Sequence, residues 1–305
     1  MKKILLTGSS GFIGQHLVTQ FKDKFVVVQL KNDLRNHSAI LEEVTSCNPD
    51  MVIHLAARTE VEKSFYEQTT FSEINYTGTV NLIESILKCK NKPQLIFAST
   101  MEVYGWQPES DEIKNGRIPT TIPTYSVDTN PNPNAPYAVA KYACEKYIEY
   151  AHRTQGLQYI TIRQTNAYGR CDNNFFVTEQ IISQMLSSNV CKLGYKDPYR
   201  NFLFITDLID AWTTIIDQFD KIANQTFNLG PNNAIRIEDY ANLIADKLQW
   251  KGQIIWDTKP DRVGEIYLLN SSEDKLKKLT GWYPKISLSE GLDRTIEIWK
   301  KNKNL

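Results

Sequence analysis

The sequence predicts an α/β fold built on a doubly wound parallel sheet. Three observations carry that prediction. The chain opens on a strand, a glycine turn and a helix; short apolar runs then alternate with amphipathic stretches; and a tyrosine and a lysine stand one helical turn apart in a later amphipathic stretch.

Ile4, Leu5 and Leu6 read as a short buried strand, and Leu17, Val18 and Phe21 as the apolar face of the helix that follows. Between them lies Thr7-Gly8-Ser9-Ser10-Gly11-Phe12-Ile13-Gly14. Glycines at these spacings permit a tight turn, let the backbone approach a pyrophosphate and allow close helix packing. The helix N-terminus supplies amide donors. A second strand over 25–30 runs into Lys31-Asn32-Asp33-Leu34-Arg35, where an acid that grips the adenosine ribose is expected. The first residue past that strand is Lys31. Lys31 and Arg35 suit a 2′-phosphate, which favours NADP over NAD, although both also read as solvated loop charges. Asp33, next to Leu34, can still contact the adenosine.

Residues 51–57 read as a third strand that ends in Leu55, Ala56 and Ala57, where small side chains leave space for a cofactor. A helix follows, with Ile74, Val80, Leu82, Ile83, Ile86 and Leu87 as its stripe. Residues 94–98 form another strand and lead into Ser99-Thr100-Met101-Glu102-Val103-Tyr104-Gly105. Ligands gather at the carboxyl ends of the strands of such sheets, where Gly8, Ala57 and Thr100 fall. The proline-rich segment up to Pro136 reads as an irregular loop placed to cover a substrate. Tyr137 and Lys141 then share one helix face. A cation that favours the phenolate would let the phenol exchange a proton near neutrality. Alone, the pair is common on solvated helices.

Composition narrows the function. Lys plus Arg equals Asp plus Glu at 35 each, so overall charge does not point to nucleic acid. The five cysteines contain no C-x-x-C pair and the four histidines lack metal-ligand spacing, which predicts reduced thiols and no metal. Gly8 interrupts the first apolar run, and no run is long enough for a membrane span. The expectation is a cytoplasmic protein without nucleic-acid or membrane partners.

Thr7-Gly8-x-x-Gly11-x-x-Gly14, Leu55-Ala56-Ala57, Asn75 with Gly78-Thr79, Ser99-Thr100-x-Glu102-Val103-Tyr104-Gly105 and Tyr137-x-x-x-Lys141 together resemble the extended short-chain dehydrogenase/reductase family, in its nucleotide-sugar epimerase, dehydratase and reductase branch. The resemblance implies a Rossmann cofactor domain over 1–165 and a smaller α/β, mainly substrate-binding domain over 166–305, with some segments returning to the first. It implies that Tyr137 exchanges the proton of a sugar hydroxyl or ketone, that Thr100 shares that hydrogen bond, and that Lys141 holds the nicotinamide ribose. It also implies a homodimer. In the family's 4,6-dehydratases an Asp-Glu pair follows the Thr. Here Met101 replaces the Asp, and a thioether cannot donate a proton, so dehydration is disfavoured. Glu102 is left to move a proton, to orient a hydroxyl or to pair with a nearby base.

Further on, Arg163 to Gly169 follow the family's Arg-x-x-Asn-x-Tyr-Gly-Pro, with Arg170 in place of the Pro. The resemblance assigns Asn166 to a substrate phosphate or sugar hydroxyl, and Arg200 and Arg262 to the nucleotide diphosphate. Guanidinium forks suit phosphate oxygens. Residues 199–207 resemble the family's Arg-x-Phe strand leading into a helix, 175–186 read as a helix and 288–299 as a closing helix. The expected activity is hydride transfer at C4 of a nucleotide diphosphate sugar with NADP or NAD. A 4-epimerase leads, and an NADPH-dependent 4-keto-sugar reductase is the alternative. Behind them stand a dehydratase or decarboxylase, and a non-catalytic dinucleotide sensor.

Overall fold

The computed structural model describes residues 1–171, 173–258 and 264–303. Six parallel strands form its central sheet: β1 (Lys3–Thr7), β2 (Val26–Gln29), β3 (Met51–His54), β4 (Gln94–Thr100), β5 (Tyr159–Gln164) and β6 (Gln225–Leu229). Their spatial order is β2-β1-β3-β4-β5-β6. Chain order therefore reverses between β1 and β3, which opens a crevice at their carboxyl ends.

Both sheet faces are covered, which explains the near-continuous apolar strands. Ile4 and Leu6 of β1, Met51 and Ile53 of β3 and Ile96 of β4 enter one core with Trp212, Tyr240 and Trp299. Their strand neighbours Leu5, Val52, Leu95 and Phe97 enter a second core with Ile83 and Ile148. The first of these cores runs without interruption from residues at the start of the chain to the closing helix Leu288–Asn302.

Three expectations are revised. The proline-rich segment contains a helix, Pro108–Lys114, with Pro108 in its first turn, where the missing N–H costs nothing, and Glu109 and Asp111 beside it. The rest is tied down. Asn132 exchanges backbone hydrogen bonds with Val103 and Trp106, and the Tyr125 N–H donates to Asn270 O at 2.8 Å. Gly105, at φ +55°, passes so close to the Asn132 carbonyl that no side chain fits. The segment is a brace, not a cover.

Over 199–207 the expected helix follows from Ile205, and the expected strand is two strands, Tyr199–Arg200 and Phe202–Phe204, in different sheets. Between them the buried Asn201 donates to Pro231 O and Ser271 O, and its backbone carbonyl accepts from Thr165. A side chain with that many inward partners cannot sit within a regular ladder. The helix expected from Ile74 to Leu87 includes a π-helical stretch, Ser72–Thr77, before Gly78–Leu87. Inserted residues of this kind re-aim side chains at functional sites.

Candidate active site

The carboxyl edge of the sheet opens into a cavity of about 720 Å³. Gly8, Gly11, Phe12, Ile13, Gly14, Leu55, Ala56, Ala57, Thr100, Glu102, Tyr137, Lys141, Asn166 and Arg200 all line it. Lys31, Asp33 and Leu34 do not. Arg262 lies outside the described residues. None of residues 106–136 borders the cavity.

The glycine turn works by close approach. Gly8 has φ +69°, and a Cβ on it would lie 2.7 Å from the Ala56 nitrogen. A Cβ on Gly14 would strike the Gly8 carbonyl and lie 2.7 Å from Ser9 Cα. Helix Phe12–Phe21 starts from Gly11 with no side-chain cap and no acid in its first turn, so its amides face the cavity without a protein anion. A dinucleotide's pyrophosphate fits that cradle.

Beneath the crevice runs a hydrogen-bond chain whose direction can be assigned. Thr79 Oγ1 donates to Asn75 O at 2.5 Å, so it accepts from His54 Nε2 at 2.8 Å. His54 Nδ1 is then the acceptor for Thr7 Oγ1 at 2.7 Å, and Thr7 in turn accepts the Ala56 N–H at 3.0 Å. His54 is fully buried, and burial, helped by the Lys141 charge, pushes it down to about 3. It is a neutral imidazole that joins β1 to β3. From the π-helical stretch, Asn75 clamps the Arg58 backbone just past Ala57, accepting its N–H at 2.8 Å and donating to its carbonyl at 2.9 Å.

Tyr137 and Lys141 lie on helix Pro136–Gln155, which begins on Pro136 and ends on Gly156 at φ +74°. Both are buried, at 7% and 3% exposure. Thr100 ends β4 and caps the short turn Met101–Tyr104 by accepting the Glu102 N–H at 3.2 Å. Burial raises Tyr137 well above the usual phenol range; the Thr100 hydroxyl opposes this and Glu102 adds to it. The downward pull expected from Lys141 is not among these influences, and its ammonium is turned to a backbone carbonyl and a ring. It donates to Ala98 O at 2.7 Å and sits 4.7 Å over the Phe97 ring. Burial lowers Lys141 to about 8, against the upward pull of Cys144 and Glu145. The protein groups alone keep Tyr137 as a phenol.

Met101 borders the cavity but is only 2% exposed and packs with Tyr104, Ile113 and Tyr125. An acid there would be buried among apolar and aromatic side chains. Opposite, Asn166 donates to Asn201 O at 3.2 Å. The Arg200 guanidinium is clamped by Glu265 at 2.9 Å and by Ile266 O at 2.6 Å. Arg170, flagged as a departure from the family pattern, packs between the rings of Phe12 (4.3 Å) and Phe176 (4.2 Å) and pairs with buried Glu179 at 3.2 Å. That departure is the only sequence signal for it; His54 and Glu179 have none, and Thr7 stands only as the first residue of the glycine motif.

At the end of the crevice expected for adenosine, the loop after β2 is held by the protein's own side chains. Glu43 accepts the backbone N–H groups of Lys31 and Asn32 at 2.9 and 3.1 Å. The Arg35 side chain, with its backbone N–H, holds Asp33 down at about 2. Leu34 is buried under Gly78, where a Cβ would lie 2.8 Å from it, so it supports the fold.

Comparison with known proteins agrees with this geometry. Residues 4–230 match the NAD dependent epimerase/dehydratase family. A candidate UDP-glucose 4-epimerase of Methanocaldococcus jannaschii is 28% identical, with 99% of each chain covered. The GDP-6-deoxy-D-mannose reductase of Pseudomonas aeruginosa is 26% identical over 98% of this chain and 97% of its own. The solved structure of RMD from Pseudomonas aeruginosa complexed with NADPH superposes with a TM-score of 0.85 at 25% identity, covering 99% of this chain and 100% of that one. The chain belongs to the NAD-dependent epimerase/dehydratase family.

Proposed function

We propose that the chain inverts C4 of the sugar in a nucleotide diphosphate sugar, with Tyr137 as acid and base. The observation that carries this reading is the buried Tyr137 phenol, which lines one cavity with Thr100, Lys141 and the glycine turn. A bound nicotinamide dinucleotide supplies the hydride acceptor and donor.

Gly8, Gly11 and Gly14 with the first amides of helix Phe12–Phe21 hold its pyrophosphate, and Lys141 holds its ribose. Tyr137 takes the proton of the C4 hydroxyl as the carbon is oxidised and returns it when the carbon is reduced on its other face, while Thr100 keeps the oxygen in line. Asn166 and Arg200 hold the nucleotide end, and Arg262 is assigned there by resemblance alone. Glu102 orients a sugar hydroxyl. Met101 supplies no second acid, which leaves a redox change without loss of water.

A second reading, NADPH-dependent reduction of a nucleotide-linked 4-keto-sugar, is favoured by Lys31 and Arg35 at the end of β2 and by the similarity to the Pseudomonas reductase. The exposed face of the Tyr–Lys helix, with Val139 and Tyr150 at 51% and 45% exposure, suits the expected homodimer. Incubation with a panel of nucleotide sugars and keto-sugars, following nicotinamide absorbance and product identity, separates the readings. Product without net absorbance change supports the epimerase; stoichiometric NADPH loss supports the reductase; no conversion by either route overturns both.

A further inference from the structure

We propose that the buried Glu145–Arg163 ion pair is a positioning unit for Thr100, Tyr137 and Lys141, aligning the Tyr–Lys helix on the sheet and supplying the negative charge that faces the Lys141 ammonium. The proposal rests on the reading of those three residues as the reaction centre.

Glu145 stands one turn after Lys141 on helix Pro136–Gln155 and is 1% exposed; Arg163, on β5, is 5% exposed. Arg163 grips the carboxylate in a fork, from Nη2 to Oε2 at 2.8 Å and from Nε to both oxygens at 3.2 Å. Ser99, the residue before Thr100, donates its hydroxyl to Oε1. The helix therefore cannot slide along the sheet without breaking bonds to both β4 and β5. The other side of Arg163 donates to Tyr104 OH at 3.2 Å, Tyr104 donates to Asn228 Oδ1 on β6, and Asn228 donates to Tyr125 O at 3.0 Å. One connected network thus fixes the helix that carries Tyr137, the strand that ends in Thr100 and the turn that carries Glu102.

Alignment alone does not call for charge, since apolar residues of similar volume often replace a buried ion pair without loss. The surroundings of Lys141 supply the reason. Its donor goes to the neutral Ala98 carbonyl. The ionisable groups around it are His54 on β3, Tyr137, Cys144 and Glu145 on its own helix, and Arg163 behind Glu145 on β5. His54 is neutral, Tyr137 is a phenol, and Cys144, pushed up to about 11 and donating to Asn75 O at 3.2 Å, is a thiol. Glu145 is the carboxylate of this set and, after Cys144, the second influence that raises Lys141; its oxygens are held by Arg163 and Ser99.

The test is a ¹³C NMR titration of lysine side chains, with the Lys141 signal assigned by its loss in Lys141→Met. Wild type, Glu145→Gln, Glu145→Asp and the double variant Glu145→Gln/Arg163→Met are compared. The double variant removes both charges and covers the case in which a lone buried Arg163 unfolds the single variant. Lys141 is expected to titrate at about 8 in wild type, about one unit lower in Glu145→Gln, where the Arg163 charge is left uncompensated, and lower by a smaller step in the double variant, with the value restored in Glu145→Asp. The pH profile of turnover shifts by the same amount, leaving kcat about fivefold lower at about pH 8 in Glu145→Gln. A Lys141 titration identical to wild type in the folded double variant overturns the proposal. The titration needs no turnover, so it stands apart from the nucleotide-sugar reading, which fails only if wild type converts no substrate.

Discussion

The two walls of the cavity are built on opposite principles. The wall proposed for the dinucleotide is made by removing side chains: Gly8, Gly14 and Ala56 let backbone meet backbone, and the helix amides are left without a side-chain cap. The substrate wall is made by restraining long ones: Arg200 in the grip of Glu265 and Ile266, Arg170 between two phenyl rings and against Glu179. A wall of backbone tolerates no added atom. A wall of guanidinium groups depends on partners brought in from other elements, Glu265 and Phe12 among them. Between them, the floor with Tyr137, Thr100 and Lys141 is where the reaction is assigned.

The sharpest way to separate floor from walls is Tyr137→Phe. Turnover should fall by about 10²–10⁴-fold with dinucleotide affinity intact, checked by product formation and by titration with the dinucleotide. On the dinucleotide wall, Gly14→Ala forces a methyl onto the Gly8 carbonyl and Ser9. A cost of about 1–3 kcal/mol in stability is expected, with a matching loss of dinucleotide affinity, read by denaturant melts and binding titration. On the substrate wall, Arg200→Met should raise the KM for the nucleotide sugar about tenfold and leave both kcat and dinucleotide affinity near wild type. If the Gly14 and Arg200 variants gave the same profile, the two-wall description would fail.

The legibility of the molecule follows the same division. Glycines leave a fixed spacing in the sequence, so the turn could be read at once, and the apolar strands with their intervening helices were enough for the sheet. Tyr137 and Lys141 acquired meaning only beside the other motifs. The Arg200 clamp was not legible, because Glu265 reaches it by a fold-level contact across many residues. His54 was invisible for a different reason: it sits in an ordinary strand pattern, and only the pairing of Thr7 with His54 across β1 and β3 shows that its two nitrogens are both used. The proline-rich segment misled because prolines mark the absence of ladders, not the presence of mobility; its anchors to Val103 and Asn270 are backbone bonds with no sequence signature.

The crevice beneath the dinucleotide wall has its own pH signature. His54 takes up a proton near about 6.5 in the unfolded chain but is held down to about 3 in the fold by burial first and Lys141 second. Between those values the unfolded chain binds a proton that the folded chain refuses. The stability present above about pH 6.5 is therefore lost as pH falls toward about 3. Thermal melts from about pH 7 to about pH 4 should show a steeper fall for wild type than for His54→Gln. Equal slopes would mean that His54 is not the buried neutral group described.

The smallest effect is expected outside the cavity. Asp33 and Arg35 form an exposed pair at 2.6 Å, and such pairs contribute little. Asp33→Asn should release Arg35 and raise the preference for NADPH over NADH by only a few-fold, measured by comparative dinucleotide binding. A large gain would place the adenosine ribose directly on Asp33.

The central claim is that one carbon of a nucleotide-linked sugar is oxidised and reduced over Tyr137. It is tested most directly with nucleotide diphosphate hexoses that carry deuterium at C4. The account predicts a C4-inverted product that keeps its deuterium, with no net change in nicotinamide absorbance. An unchanged sugar across the panel, or an inverted product whose deuterium has been lost to water, would contradict it.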